Sequence, residues 1–196
     1  MVLPASTLWR GGYFEGLCFN LDSYLPTIEG QEIDFRPRAE MENDPHYKQI
    51  IPYVIISHND TVFSYRRGKL LGEKRLMGSY SIGVGGHISS SDRNLLHTSY
   101  DRGMRRELSE EVDIGSPYSE HIAALLNDDS NDVGSVHFGM VHILCLEEPI
   151  VKPREKSMNE PAFVDRHHLL ENIDKYENWS QICISNIAKI LAACDK

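Results

Sequence analysis

The chain has 196 residues, enough for one well-buried domain with appendages and short for two. Its 41% hydrophobic and 25% charged content is ordinary for a soluble globular protein. Twenty basic against 29 acidic residues give a net charge of −9, which argues against nonspecific attraction to nucleic acid or to an anionic membrane.

Residues 1–48 are turn-rich, punctuated by Gly11-Gly12, Pro26, Gly30, Pro37 and Pro45. Trp9, Tyr13, Phe14, Phe19 and Tyr24 are too many aromatic residues for a disordered tail. The segment is therefore expected to be an arm that packs on the core or on a second subunit, with a homodimer as the expected state. The main domain is expected over 49–196. Ile50 to Ser57 and Thr61 to Tyr65 predict paired strands, with His58-Asn59-Asp60 as the turn. Arg66-Arg67-Gly68-Lys69 follows, then an extended run from Gly78 to Ile88. Thr98 to Val112 predicts a helix, with Met104 and Leu108 on its apolar side. Ile122 to Leu126 and Val136 to Leu146 predict further strands. Trp179, Ile182, Cys183, Ile187, Ile190 and Leu191 then recur at helical spacing. The sum is an α/β fold, a mixed sheet with helices on its faces.

No apolar run approaches the ~18 residues of a membrane span. Met1-Val2-Leu3-Pro4-Ala5 does not begin a secretory signal, so a cytoplasmic location is expected. Cys18, Cys145, Cys183 and Cys194 show neither C-x-x-C spacing nor a small-domain disulfide pattern, so reduced thiols are expected.

The chemistry concentrates in Arg106-Glu107-Leu108-Ser109-Glu110-Glu111-Val112. Glu107, Glu110 and Glu111 stand at i, i+3 and i+4, so one helix face carries three acids. A solvated surface would tolerate that. Clustered like charge also suits a hard divalent cation, Mg²⁺ or Mn²⁺, which would in turn hold a phosphate. Ahead of the helix lies Ser81-Ile82-Gly83-Val84-Gly85-Gly86-His87-Ile88. This strand-like run is broken by glycines where a backbone turns tightly or approaches a ligand closely.

These residues resemble the Nudix hydrolases, whose signature is G-x5-E-x7-R-E-U-x-E-E-x-G-U, with U a bulky aliphatic residue. Arg106, Glu107, Leu108, Glu110, Glu111 and Ile114 match its second half, and Gly86 its opening glycine. The stretch between Gly86 and Arg106 is six residues longer than the family's. Counting back from Arg106 puts the first glutamate at Thr98, whose hydroxyl suits a helix cap; counting forward from Gly86 puts it at Asp92. Whether Asp92 supplies the missing carboxylate stays open at this point. Asp113 replaces the later glycine. Asp44 to Val54, Leu126 to Ser130 and Val133 to Gly139 extend the resemblance to a bacterial subgroup of Nudix proteins, the predicted phosphoesterases.

The resemblance implies a Nudix-like α/β/α sandwich and a nucleotide-like small-molecule substrate. It implies Glu107, Glu110 and Glu111 as metal carboxylates, the Gly86 carbonyl as a further ligand, and Arg106 holding a glutamate in place. The implied reaction is metal-dependent hydrolysis of a diphosphate linkage in a nucleoside diphosphate derivative. The alternative is a Nudix-fold module that binds a nucleotide without hydrolysing it. Secondary candidates are Asp128 and Asp129 as base or ligand, Glu160 as an additional glutamate, and Arg66, Arg67 and Lys69 as a phosphate grip. For Asp128 and Asp129 the plain alternative is a polar turn. His137 and His142 fall on opposite faces of one strand.

Overall fold

The computed structural model describes residues 1–28, 30, 33–68, 78–92 and 99–195. Thr98 and Lys69 lie outside the described residues. Eleven strands are present among the described residues: β1 (Val2–Pro4), β2 (Gly16–Cys18), β3 (Tyr47–His58), β4 (Thr61–Arg67), β5 (Tyr80–Ser81), β6 (Gly83–Val84), β7 (Val112–Ile114), β8 (Tyr118–Asn127), β9 (His137–Leu146), β10 (Val151–Pro153) and β11 (Met158–Asp165). The helices are α1 (Ala5–Leu8), α2 (Leu25–Ile28), α3 (Arg38–Met41), α4 (Ser99–Glu111), α5 (Arg166–Glu171), α6 (Asn178–Ile184) and α7 (Ile187–Leu191).

Nine strands form one sheet in the order β11-β4-β3-β9-β8-β2, with β1 and β6 also on β3 and β5 also on β4; β10 and β7 form a separate pair. The sheet is mixed. β3 pairs antiparallel with β1, β4 and β6. Its neighbour β9 runs parallel to it, because Lys48 meets the Gly134 carbonyl, Ser57 that of Leu144 and His58 that of Leu146. Both strands are buried almost throughout, as the unbroken apolar runs of central strands require. Pro52 is tolerated inside β3 because it falls between the stretch paired with β1 (Tyr47 to Gln49) and that paired with β6 (Val54 and Ile55).

The chain forms two compact units. The first comprises Met1–Tyr53, Gly85–Glu107 and Ala124–Val141; the second Val54–Val84, Leu108–Ala123 and His142–Lys196. In the first unit the N-terminal arm is built into the sheet, β1 on β3 and β2 on β8. Its aromatic residues pack inside the chain. Trp9 and Phe14 meet the buried Phe138 edge-on at 5.9 and 5.8 Å, and Tyr24 meets Phe14 at 5.4 Å.

In the second unit β4 carries β11 on its edge, with a bulge between Asn159 and Ala162. The helical spacing from Trp179 to Leu191 resolves into two short helices, not one. Ser185 and Asn186 turn their side chains back onto the carbonyls of Gln181 and Ile182, competing with the next helical turn. The expectation of reduced thiols is corrected at two positions: Cys145 on β9 and Cys194 form a disulfide, with Cα atoms 5.7 Å apart. They are 49 residues apart in sequence and meet only through tertiary folding. Cys18 and Cys183 are free. Among the described residues no helix is long and apolar enough to cross a membrane.

Candidate active site

Helix α4 is held by its apolar side, Met104 and Leu108, both buried. That orientation leaves Arg106 and Glu107 half-buried, Glu110 exposed and Glu111 half-buried on its last turns. In the first unit Arg106 is the centre of a knot. Its Nε donates to Asp92 Oδ1 at 2.9 Å and its Nη2 to Asp92 Oδ2 at 3.0 Å, a bidentate pair. Nη1 donates to Glu107 Oε1 at 2.8 Å, and Nη2 also reaches the His87 carbonyl at 3.1 Å. Asp92 is only 2% exposed, and the Arg106 hydrogen bonds hold its carboxyl below the ordinary carboxylate range. Asp92 thus anchors the arginine.

Gly86 has a steric reason to be glycine. A Cβ there would lie 2.2 Å from Glu107 Oε2, so its bareness is the cradle in which that carboxylate sits. Gly85 is constrained more firmly. Its φ is +151°, and a Cβ would meet the backbone oxygen of Pro52 at 2.0 Å. Next to the cradle His87 Nε2 faces His137 Nε2 at 3.1 Å, and His137 Nδ1 lies 2.6 Å from the Val133 carbonyl. Burial holds His87 down to about 3 and His137 also below its ordinary value. His87 was not singled out in the sequence as a polar contact. The available signal was its position directly after Gly86.

The remaining candidates have other partners. Asp128 caps its own turn, accepting from the Ser130 amide and hydroxyl and from Asn131. Asp129 accepts from Lys48 at 2.5 Å, with Lys48 3% exposed, and from Tyr13. Neither aspartate offers an idle carboxylate. In the second unit Glu160 has φ +51° and takes hydrogen bonds from Tyr80 at 2.5 Å and Arg66 at 3.2 Å. It lines a cavity of about 240 Å³ with Ser64, Lys175 and Tyr176. Strand alternation puts Ser64 and Arg66 on the face of β4 opposite Tyr65. Burial first, then the charge of Glu111, raises the Tyr65 hydroxyl. Arg67 closes β4 opposite Met158. His142, on the other face of β9 from His137, reaches Glu120 at 3.1 Å.

The carboxylates that α4 carries at i, i+3 and i+4 offer hard oxygens, the chemistry that suits Mg²⁺ or Mn²⁺. The Gly86 cradle holds one of those carboxylates beside the turn. The donor chemistry fits such an ion. Among the described residues no three His, Cys, Asp or Glu side chains already converge as a ligand set.

No family model matches the chain. A curated relative does: Protein YmaB of Bacillus subtilis (strain 168) is 34% identical over 184 residues, 87% of each chain. Among solved structures, Tm1382, a candidate Nudix hydrolase, matches with a TM-score of 0.80 at 28% identity, over 95% of this chain and 96% of that one. A bifunctional NMN adenylyltransferase/ADP ribose pyrophosphatase from Francisella tularensis, complexed with AMP and Mn ion, matches at 0.52 with 14% identity. That match spans 74% of this chain and 42% of that one, a likeness of fold. The mixed α/β fold and the arginine–glutamate helix beside a glycine turn define the class, a Nudix-type hydrolase. The chain belongs to the Nudix superfamily, in one family with the B. subtilis protein.

Proposed function

We propose that this chain hydrolyses a diphosphate linkage in a nucleoside diphosphate derivative, using Mg²⁺ or Mn²⁺ held by Glu107, Glu110, Glu111 and the Gly86 carbonyl. The observation that carries this reading is the Arg106 knot, which fixes Glu107 against the bare Gly86. A bound divalent ion neutralises phosphate charge and lowers the pKa of a coordinated water. Against a net charge of −9, a polyanionic substrate needs that neutralisation. The chain's own contribution is positional. Arg106 holds the Glu107 carboxylate in place, and Asp92 keeps Arg106 in place. Arg66 and Arg67 as a phosphate grip, and Asp128, Asp129 or Glu160 as base, remain weaker parts of the proposal. Each of the three acids already carries structural partners.

The test is release of phosphate-bearing products from a panel of nucleoside diphosphate derivatives with Mg²⁺, Mn²⁺ or EDTA. ADP-ribose belongs in the panel because the F. tularensis fold neighbour is named for it. Glu110→Gln should remove EDTA-sensitive turnover and leave the fold intact; turnover that survives it makes the metal assignment wrong. A second reading is binding without hydrolysis, favoured by the longer stretch between Gly86 and Arg106 and by the missing box glutamate. Tight nucleotide binding with no turnover across the panel would favour it. A cytoplasmic homodimer completes the proposal. With Trp9, Phe14 and Tyr24 packed within one chain, a dimer must form through other surfaces, and sedimentation equilibrium reads its presence.

A further inference from the structure

We propose that the cavity beside Glu160 in the second unit binds a small hydroxylated phosphate, the size of a pentose monophosphate, between the Glu160 carboxylate and the Lys175 ammonium. Its lining includes no described residue of α4 or of the Gly86 turn, so binding there needs neither the metal nor hydrolysis.

Strand pairing builds the floor. Ser64 on β4 stands opposite Ala162 on β11, so both side chains leave the same face of the sheet, and Ala162 contributes only a methyl group. Tyr176 and Tyr80 supply aromatic walls. Tyr176 is buried, and its hydroxyl lies 3.2 Å from Ser64 Oγ. The two tyrosine rings are 5.7 Å apart at 46°. A base sandwiched between them would need about 7 Å, twice the contact distance of carbon atoms. Their faces suit instead the C–H groups of a smaller saturated ring. The volume of about 240 Å³ points the same way, since sites for drug-sized ligands run to roughly 300–1,000 Å³.

Polar groups of opposite sign line the same space. Glu160 lies at the bulge of β11 with φ +51°, a conformation that side chains rarely adopt. There its carboxylate accepts from the Tyr80 hydroxyl at 2.5 Å and from Arg66 at 3.2 Å. A bulge that only had to turn would be better served by glycine; a glutamate held in that backbone by two donors is a placed acceptor. Those donors, Tyr80 first, hold its proton affinity below the ordinary range. Each carboxylate oxygen has two lone pairs, and these contacts use one on each, so a pair of ligand hydroxyls can still be accepted. With Arg66 already balancing the charge, neutral hydroxyls suit it better than an ammonium group. Lys175 donates to Asn172 Oδ1 at 2.7 Å. That partner is neutral and leaves the charge of the ammonium, and two more N–H groups, for an anion.

The test uses the full chain in EDTA, which keeps metal off the α4 carboxylates, with ribose 5-phosphate, ribose and inorganic phosphate as probes. In ¹H–¹⁵N spectra ribose 5-phosphate should shift the Ala162 and Tyr176 amides with a Kd near ~1 mM. Ribose and inorganic phosphate should each bind about 10-fold more weakly, the size of one lost charge-assisted contact. Lys175→Gln should weaken ribose 5-phosphate by the same factor. Ala162→Leu fills the floor from an exposed position on the edge strand, so it should fold and abolish the shifts. No shift of these amides at ~10 mM, ten times the expected Kd, overturns the proposal. So do equal affinities for ribose 5-phosphate and inorganic phosphate, and so do shifts that persist in Ala162→Leu.

Discussion

At the scale of single residues, Arg106 has all three guanidinium nitrogens engaged around the Gly86 turn, and its main partner Asp92 is buried. Removing the cation strands a buried carboxylate. Arg106→Ala should therefore destabilise the fold by about 3–5 kcal/mol, measured by urea unfolding. Arg106→Lys should recover only a minority of this, because a point charge cannot replace the bidentate fork. The adjacent glycines should separate stability from activity. At Gly86 the clash is with the far end of a flexible side chain, so Gly86→Ala should fold at a cost under ~1 kcal/mol and displace the Glu107 carboxylate. Turnover should then fall at least ~10-fold, since a misplaced group costs rate out of proportion to its displacement. At Gly85 the clash is with backbone at a positive φ, so Gly85→Ala should cost about 2 kcal/mol or more. Equal stability losses in the two variants would contradict this difference between a side-chain and a backbone clash.

At the scale of elements, the paired imidazoles make stability depend on pH. His87 binds its proton at about 3 in the fold against an ordinary value of 6.5, chiefly through burial, with Arg38 and His137 adding to it. The unfolded chain takes up that proton first. Its contribution to stability is thus fully present above 6.5 and declines as pH falls toward 3. Asp92 acts later, below the ordinary carboxylate value of 3.8, because its own proton affinity is lowered by Arg106. Chemical denaturation in EDTA should show stability falling between pH 6.5 and 4, and His87→Gln should flatten that slope. An unchanged slope in the variant would mean the histidine is protonated in the fold. Much at this scale was readable in advance. The runs Ile50 to Ser57 and Val136 to Leu146 announced the buried strands, and Met104 and Leu108 fixed which side of α4 faces inward. The break between α6 and α7 was not readable from apolar spacing, because it arises from polar side chains folding back on the backbone. Nor was the role of Asp92. Motif counting put the missing glutamate at either Thr98 or Asp92, and only the folded structure pairs Asp92 with Arg106.

At the scale of the whole molecule, composition and strand patterning led to a mixed α/β fold. They could not reveal the Cys145–Cys194 link, since its partners lie 49 residues apart with no local spacing to mark them. Closing a loop of that length is worth on the order of 4 kcal/mol in the unfolded-state entropy model. Reductant, or Cys194→Ser, should therefore lower Tm by several degrees, read by calorimetry. No change would indicate that the thiols are reduced in the working protein. The aromatic arm left two alternatives open, packing on the core or on a second subunit; Trp9 and Phe14 pack on Phe138 within the chain, and Tyr24 on Phe14. What the sequence disclosed best was α4 itself, a helix whose Met104 and Leu108 side is buried. What it disclosed least was the tertiary partnering of the candidates, as Glu160 with Tyr80 and Arg66 and Asp129 with Lys48 illustrate.

The central claim is that the carboxylates of α4 carry a metal-dependent hydrolysis. The measurement that tests it most directly is product release from nucleoside diphosphate derivatives by the wild type and Glu110→Gln, each with Mg²⁺, with Mn²⁺ and with EDTA. The predicted result is turnover of at least one compound class by the wild type, abolished by EDTA and by the substitution. Turnover indifferent to both EDTA and Glu110→Gln would contradict it.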